Sequence, residues 1–131
     1  EIQRGLLARL GIGTDAGELA FHRLVGHGVA MATEEECTRA ERWLERLVCA
    51  NRDARVYDEE GMPRAAGFVW LRIALNSARV GRWAAVRYRA SACSAWHRPD
   101  WRERLQLEAA SRLAFVRSTG GRRPGTRGVS P

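Results

Sequence analysis

The stretch PRAAGFVWLRIALNSA, residues 63–78, is the most apolar segment of the chain with helical spacing. Its apolar side chains lie on one face, with Ala66, Val69, Trp70 and Ile73, and also on the other sides, with Phe68, Leu71 and Leu75. A helix that is apolar on most sides is typical of the centre of a bundle. Pro63 suits a first turn, where its missing N–H has no intrahelical partner. We therefore expect Pro63 to Ala78 to form the central helix.

Gly67 lies inside this apolar segment. In an exposed helix a glycine costs about 1 kcal/mol relative to alanine. Its presence here predicts the close approach of another backbone or of a ligand.

Helical periodicity and capping signals predict further helices on both sides of the central one. Thr33 followed by Glu36 indicates a capping box at the start of a helix that runs to Cys49. The next segment, Asn51 to Met62, is polar and turn-like, with a hint of a short strand at residues 55–57. The other helices are expected over residues 2–10, 16–25, 82–95 and 100–117. The fold class is therefore all-α: a single bundle of five to six helices over residues 1–117, with an irregular basic C-terminal tail.

The last helix has an apolar stripe at a spacing of about four residues, which we expect to face the core. Its members are Trp101, Leu105, Ala109, Leu113 and Val116. The tail, residues 118–131 with the sequence STGGRRPGTRGVSP, has too few apolar side chains to offset its own ordering entropy. We expect it to be extended and to be ordered by a partner, since an Arg-Gly tail can lie along phosphates.

The charge of the chain is divided between its two halves. All 22 basic residues are arginines and there is no lysine, which fits either codon drift in a GC-rich genome or the preference of phosphate contacts for the guanidinium fork. Residues 1–61 have 8 arginines and 12 acidic residues, a net charge of −4, whereas residues 62–131 have 14 arginines and 3 acidic residues, a net charge of +11. Codon drift does not explain this segregation. An anionic polymer or lipid surface is the natural counter-charge.

Several other classes of protein are disfavoured. The three cysteines, Cys37, Cys49 and Cys93, have no CxxC spacing and are odd in number, which favours an intracellular, reducing compartment. Arg72 interrupts the longest apolar run, so no membrane span is expected. Cys93 and His97 are four residues apart, but no second pair stands at ligand spacing, and no cofactor or metal is expected. No phosphate loop or nucleophile elbow occurs, so we do not expect an enzyme.

The stretch ARVGRWAAVRYRASACSAWHRPDWRER, residues 78–104, alternates arginines with large aromatic rings. Guanidinium groups bind phosphate oxygens, and flat rings can stack on bases, although each tryptophan taken singly fits the core. We expect Tyr88 to offer a stacking face because arginines flank it. The expected nucleic-acid-binding residues are Arg64, Arg79, Arg82, Arg87, Tyr88, Arg89, Arg98, Arg102, Arg122, Arg123 and Arg127.

Residues 40–75, AERWLERLV…VYDEEGMPRAAGFVWLRIAL, resemble the RNA-binding domain of the phosphorylated adaptor for RNA export. The resemblance consists of a helix, a turn that ends in glycine and a basic residue, and a helix that opens on a glycine-hydrophobic pair, here Gly67 and Phe68. This sequence departs from the family pattern in three ways. The single basic residue Arg64 replaces a basic cluster, Pro63 precedes it rather than following it, and Ala66 occupies one of the glycine positions. The resemblance implies a helical protein that binds mainly single-stranded RNA without catalysis.

These features favour a non-catalytic RNA-binding protein, a structural component of a large ribonucleoprotein such as a ribosome. The chain begins at Glu1 rather than Met, which indicates a trimmed, processed or partly observed product, and a mitochondrial or other organellar assembly is one expectation. The alternative is a protein-interaction or assembly module with segregated acidic and basic faces; a peripheral role on an anionic membrane comes third. On the leading hypothesis, replacing Arg87 and Arg89 with glutamate should abolish binding of nucleic acid while leaving the stability within about 1 kcal/mol of the wild type.

Overall fold

The computed structural model describes residues 2–77 and 81–120, with side chains for all of these except 81–85, 110, 111 and 113–120. The described residues form six α-helices and one short 3₁₀ helix, without a strand, which confirms the all-α bundle. The α-helices are α1 (Ile2–Arg9), α2 (Ala16–Gly26), α3 (Glu34–Ala54), α4 (Gly61–Asn76), α5 (Gly81–Ala90) and α6 (Trp101–Gly120). The 3₁₀ helix, Ala92–Ala95, connects α5 to the loop before α6.

Helix α4 lies at the centre of the bundle, as predicted, and packs against α2, α3, α5, α6 and the 3₁₀ helix. Trp70 is 2% exposed, and Leu71 and Ile73 are fully buried. Burying a side chain of this size contributes about 1.5–3 kcal/mol, so α4 supplies much of the hydrophobic stabilisation. The helix begins at Gly61, two residues before Pro63, because the carboxylate of Asp58 accepts the Gly61 N–H at 2.9 Å and holds the first turn.

Helix α3 begins where its capping signal predicted and ends later than expected. The Glu36 N–H donates to Thr33 Oγ1 at 3.2 Å, while the Glu36 carboxylate accepts from the N–H of Ala32 rather than from that of Thr33. The helix runs on to Ala54, where Arg55 in the left-handed conformation (φ 52°) ends it. The expected strand at residues 55–57 does not form, because the buried Asn51 side chain binds both the N–H and the carbonyl of Tyr57.

Helix α6 places its apolar residues differently from the prediction. Trp101 is 66% exposed and Leu105 is 60% exposed, whereas Leu107 is buried at 4% exposure. The stripe of apolar residues therefore begins on the outer side of α6, and the core contact comes from another side. The helix also extends to Gly120, so residues 118–120, expected to be irregular, are helical; the rest of the predicted tail, 121–131, lies outside the described residues.

Candidate nucleic-acid interface

The structure describes the side chains of six of the eleven residues expected to bind nucleic acid. These are Arg64, Arg87, Tyr88, Arg89, Arg98 and Arg102. Arg82 lies in α5, but its side chain is not among those described. Arg79, Arg122, Arg123 and Arg127 fall outside the described residues, so their assignment stays a prediction.

The expectation that Tyr88 lies at the surface is wrong. The residue is 3% exposed, and burial, with a smaller effect of the Glu103 charge, raises the pKa of its hydroxyl. Successive residues of an α-helix point about 100° apart, because one turn takes 3.6 residues. The flanking Arg87 and Arg89 can therefore lie to either side while Tyr88 points inward. Tyr88 cannot stack on a base in this structure.

Arg87 is engaged in an ion pair between α5 and α3. Its Nε donates to Glu41 Oε2 at 2.7 Å, and the Glu41 side chain is only 9% exposed, against 41% for that of Arg87. A buried carboxylate needs such a partner, because an unpaired charge inside a protein is strongly destabilising. Arg87 therefore has a structural role, which the sequence prediction did not foresee.

Arg89 forms a weaker pair at the surface. Its Nη2 lies 3.3 Å from Glu108 Oε1, and both side chains are 55% exposed. Arg112 approaches the other oxygen of the same carboxylate, at 3.8 Å. Exposed pairs of this kind contribute less than about 1 kcal/mol, so a phosphate could compete for the Arg89 guanidinium.

Gly67 permits the close approach that its position predicted. A Cβ atom there would lie 2.7 Å from the backbone nitrogen of His97 and 3.0 Å from the carbonyl oxygen of Cys93. The segment from Cys93 to His97 thus lies directly on the backbone of α4. The same contact brings the His97 ring against Phe68, with 5.4 Å between ring centroids and an edge-to-face angle of 83°.

The loop that follows is held by a capping box at the start of α6. The Glu103 N–H donates to Asp100 Oδ1 at 2.8 Å, and the Asp100 N–H donates to Glu103 Oε1 at 3.0 Å. The same Glu103 oxygen lies 3.4 Å from His97 Nε2. These bonds fix the path of the chain from His97 to the first turn of α6, so the side chains carried there have a defined position.

Trp101, the first residue of α6, was not among the expected binding residues. It is nevertheless 66% exposed, more than any other large hydrophobic aromatic residue whose side chain the structure describes. The Arg102 guanidinium carbon lies 5.2 Å from the centroid of the Trp101 ring, within the range of a cation–π contact. Periodicity pointed the other way, because Trp101 and Leu105 are four residues apart and read as a core stripe. The available signal was the alternation of Trp101 with Arg98 and Arg102.

We define the aromatic-basic surface as five exposed residues on α4, on the loop before α6 and on the first turn of α6. They are Arg64, Phe68, Arg98, Trp101 and Arg102. Arg98 and Arg102 form no ion pair with any acidic residue whose side chain is described, and Arg64 has only an exposed contact of 3.9 Å with Glu60. Three cationic groups are therefore open to an external anion. The Phe68–His97 contact joins the α4 residues to the loop that has Arg98, and Arg102 contacts the Trp101 ring.

Cys93 is fully buried beneath this surface, and burial raises the pKa of its thiol to about 11. The thiol is thus neither an accessible nucleophile nor a ready metal ligand. No group of three or more His, Cys, Asp or Glu side chains that could hold a metal ion is found within residues 2–77 and 81–120 as far as they are described.

Comparison of the chain with known protein families, with curated proteins and with solved structures found no match. No helix in the described residues is long and apolar enough to cross a membrane.

Proposed function

We propose that this chain is a non-catalytic RNA-binding protein and that the aromatic-basic surface is its contact with RNA. The observation that carries the proposal is the first turn of α6 with the loop before it. There Arg98 and Arg102, without acidic partners among the described side chains, flank Trp101 in sequence, and Trp101 is 66% exposed. Guanidinium groups suit phosphate oxygens, and an exposed indole suits a base.

Net charge supports the same partner class. The segment from Gly61 to Pro99 has seven arginines and no acidic residue, and the whole chain has a net charge of +7. Such a field attracts a polyanion over several ångströms and raises the rate of association. On this proposal the chain is a structural component of a ribonucleoprotein, such as a mitochondrial or other ribosome, and the resemblance of residues 40–75 to an RNA-binding domain supports the choice of RNA.

The burial pattern changes which residues we assign to binding. Arg64, Arg98 and Arg102 are proposed to contact phosphates, and Arg89 can do so by leaving Glu108. Arg87 and Tyr88 are withdrawn, because the first is paired with a buried carboxylate and the second is itself buried. The arginines outside the described side chains, at 79, 82, 122, 123 and 127, remain proposed contacts on the sequence alone.

A protein-interaction module is the second candidate, and one observation favours it. Trp101 and Leu105 are one helical turn apart on the outer side of α6, and both are more than half exposed. Exposed apolar residues at this spacing can also form part of an interface with another protein. The two candidates differ in their dependence on salt, since apolar contacts are comparatively insensitive to it whereas phosphate contacts weaken steeply.

The proposal is tested by replacing Arg98 and Arg102 with glutamate and measuring the affinity for a single-stranded RNA oligonucleotide by fluorescence anisotropy. We expect a loss of at least tenfold, because two phosphate contacts become repulsive. The control is Arg4→Glu with Arg42→Glu, which makes the same change of net charge at two exposed residues of α1 and α3. Neither arginine forms an ion pair with an acidic residue that the structure describes. Equal losses of affinity in both double variants would show that net charge alone explains the loss, and would contradict the assigned surface.

A further inference from the structure

The Trp101 ring is unusual because it lies at a rigid position and yet meets solvent. A tryptophan buries much apolar area when it enters a core, so leaving 66% of the residue exposed forgoes that stabilisation. The ring is not on a loose loop: it is the first residue of α6, directly after the Asp100 cap that Glu103 completes. A large exposed ring on a backbone that a helix cap holds is the form that a binding platform takes.

The aromatic pair of Phe68 and His97 has one member, His97, near Trp101 in the chain. Phe68 is 43% exposed and packs edge-to-face on His97, and His97 precedes Trp101 by four residues. Four residues span at most about 14 Å, so the two aromatic positions fall within reach of one short strand. Arg98 lies between them in sequence, and Arg102 is adjacent to the Trp101 ring. Rings and cations therefore alternate in sequence from His97 to Arg102.

This alternation suits a single strand better than a duplex. In a duplex each base has both faces covered by its neighbours, so an indole can stack only on a base that is unpaired or splayed out. Arginines bind the phosphates of either form. Discrimination between the two forms must therefore come from the rings.

We propose that Trp101 is a stacking platform for an unpaired base and that the aromatic-basic surface selects single-stranded RNA over duplex RNA. The inference rests on the proposed function and adds the residue that recognises the strand, together with a physical reason for the single-stranded form that the resemblance implies. Stacking on an aromatic ring tolerates any base, because every base has a π-face. The surface is therefore expected to distinguish strandedness rather than sequence.

The test compares three variants of the full chain for binding to a single-stranded RNA oligonucleotide and to a duplex of the same length. Trp101→Ala is expected to weaken single-strand binding by about 5- to 150-fold, the usual loss for one stacked base, and to leave duplex binding unchanged. Trp101→Phe keeps a flat ring and should retain most of the affinity. Leu105→Ala is the control, since Leu105 is similarly exposed one turn further along α6 and has no ring.

Fluorescence gives a second readout of stacking. The part of the tryptophan emission that Trp101→Phe removes should be quenched when the wild-type chain binds single-stranded RNA. The thermal midpoint of each variant is measured alongside, and an exposed ring predicts little change in it.

The outcomes separate this inference from the proposed function. If Trp101→Ala binds single strands as the wild type does, while the Arg98 and Arg102 double variant loses binding, stacking is refuted and the proposed function stands. If Leu105→Ala loses as much affinity as Trp101→Ala, the face is an apolar interface and stacking is refuted. If the wild-type chain binds no RNA, both proposals fail.

Discussion

Replacing Gly67 with alanine is expected to lower the free energy of unfolding by about 2–3 kcal/mol, the upper part of the range for overpacked sites. The added methyl group would lie 2.7 Å from the His97 backbone nitrogen and 2.9 Å from its Cβ. Backbone atoms cannot move aside as the end of a flexible side chain can, so α4 and the segment from Cys93 to His97 must separate. Urea unfolding followed by circular dichroism measures the change.

Gly5→Ala is the matched control. Gly5 also lies inside a helix, but a Cβ atom there would meet nothing within 4 Å. Alanine should therefore raise stability by up to about 1 kcal/mol through its higher helix propensity. A Gly67→Ala variant as stable as the wild type would show that the close contact between α4 and the 3₁₀ segment does not exist.

Replacing Arg87 with glutamate is the second change with a large expected effect, again a loss of about 2–3 kcal/mol. Breaking a buried ion pair by removing one partner costs about 3–5 kcal/mol, and we take a smaller value because the Arg87 side chain is 41% exposed. The variant leaves the Glu41 carboxylate buried without its partner and adds a second carboxylate beside it. This replaces the expectation from the sequence that Arg87 and Arg89 could both be reversed with a change in stability of no more than about 1 kcal/mol.

Arg89→Glu provides the comparison within the same helix. Its partner Glu108 is 55% exposed, so the loss should stay below about 1 kcal/mol. The midpoints of thermal unfolding of the two single variants measure this difference, and we expect the lower midpoint for Arg87→Glu. Equal midpoints would mean that the Arg87–Glu41 contact contributes no more than a surface pair.

The central helix and its glycine could be predicted because the signals are local. The apolar run around Trp70 identifies a buried helix by its own composition, and a glycine within it has few explanations other than close packing. The Thr33 cap is likewise encoded within four residues. In each case the residues that give the signal are close together in sequence, even though the segment that packs on Gly67 is about 30 residues away.

The candidate site was predicted less well because its features depend on contacts between distant parts of the chain. Arg87 and Glu41 are 46 residues apart, and nothing near either residue indicates that they pair. Tyr88 has arginines on both sides, and periodicity does not say which of the three points inward. Helix α6 has apolar residues on two sides, so only packing decides that Leu107 is buried and Trp101 is exposed.

The most direct test of the central claim is the salt dependence of single-stranded RNA binding by the wild-type chain. Each arginine-phosphate contact on a single strand contributes about −0.7 to the slope of log K against log salt concentration. Contacts from Arg64, Arg98 and Arg102 therefore predict a slope of about −2 or steeper. Absence of binding at low salt, or binding with a slope near zero, would contradict the claim that this surface binds RNA.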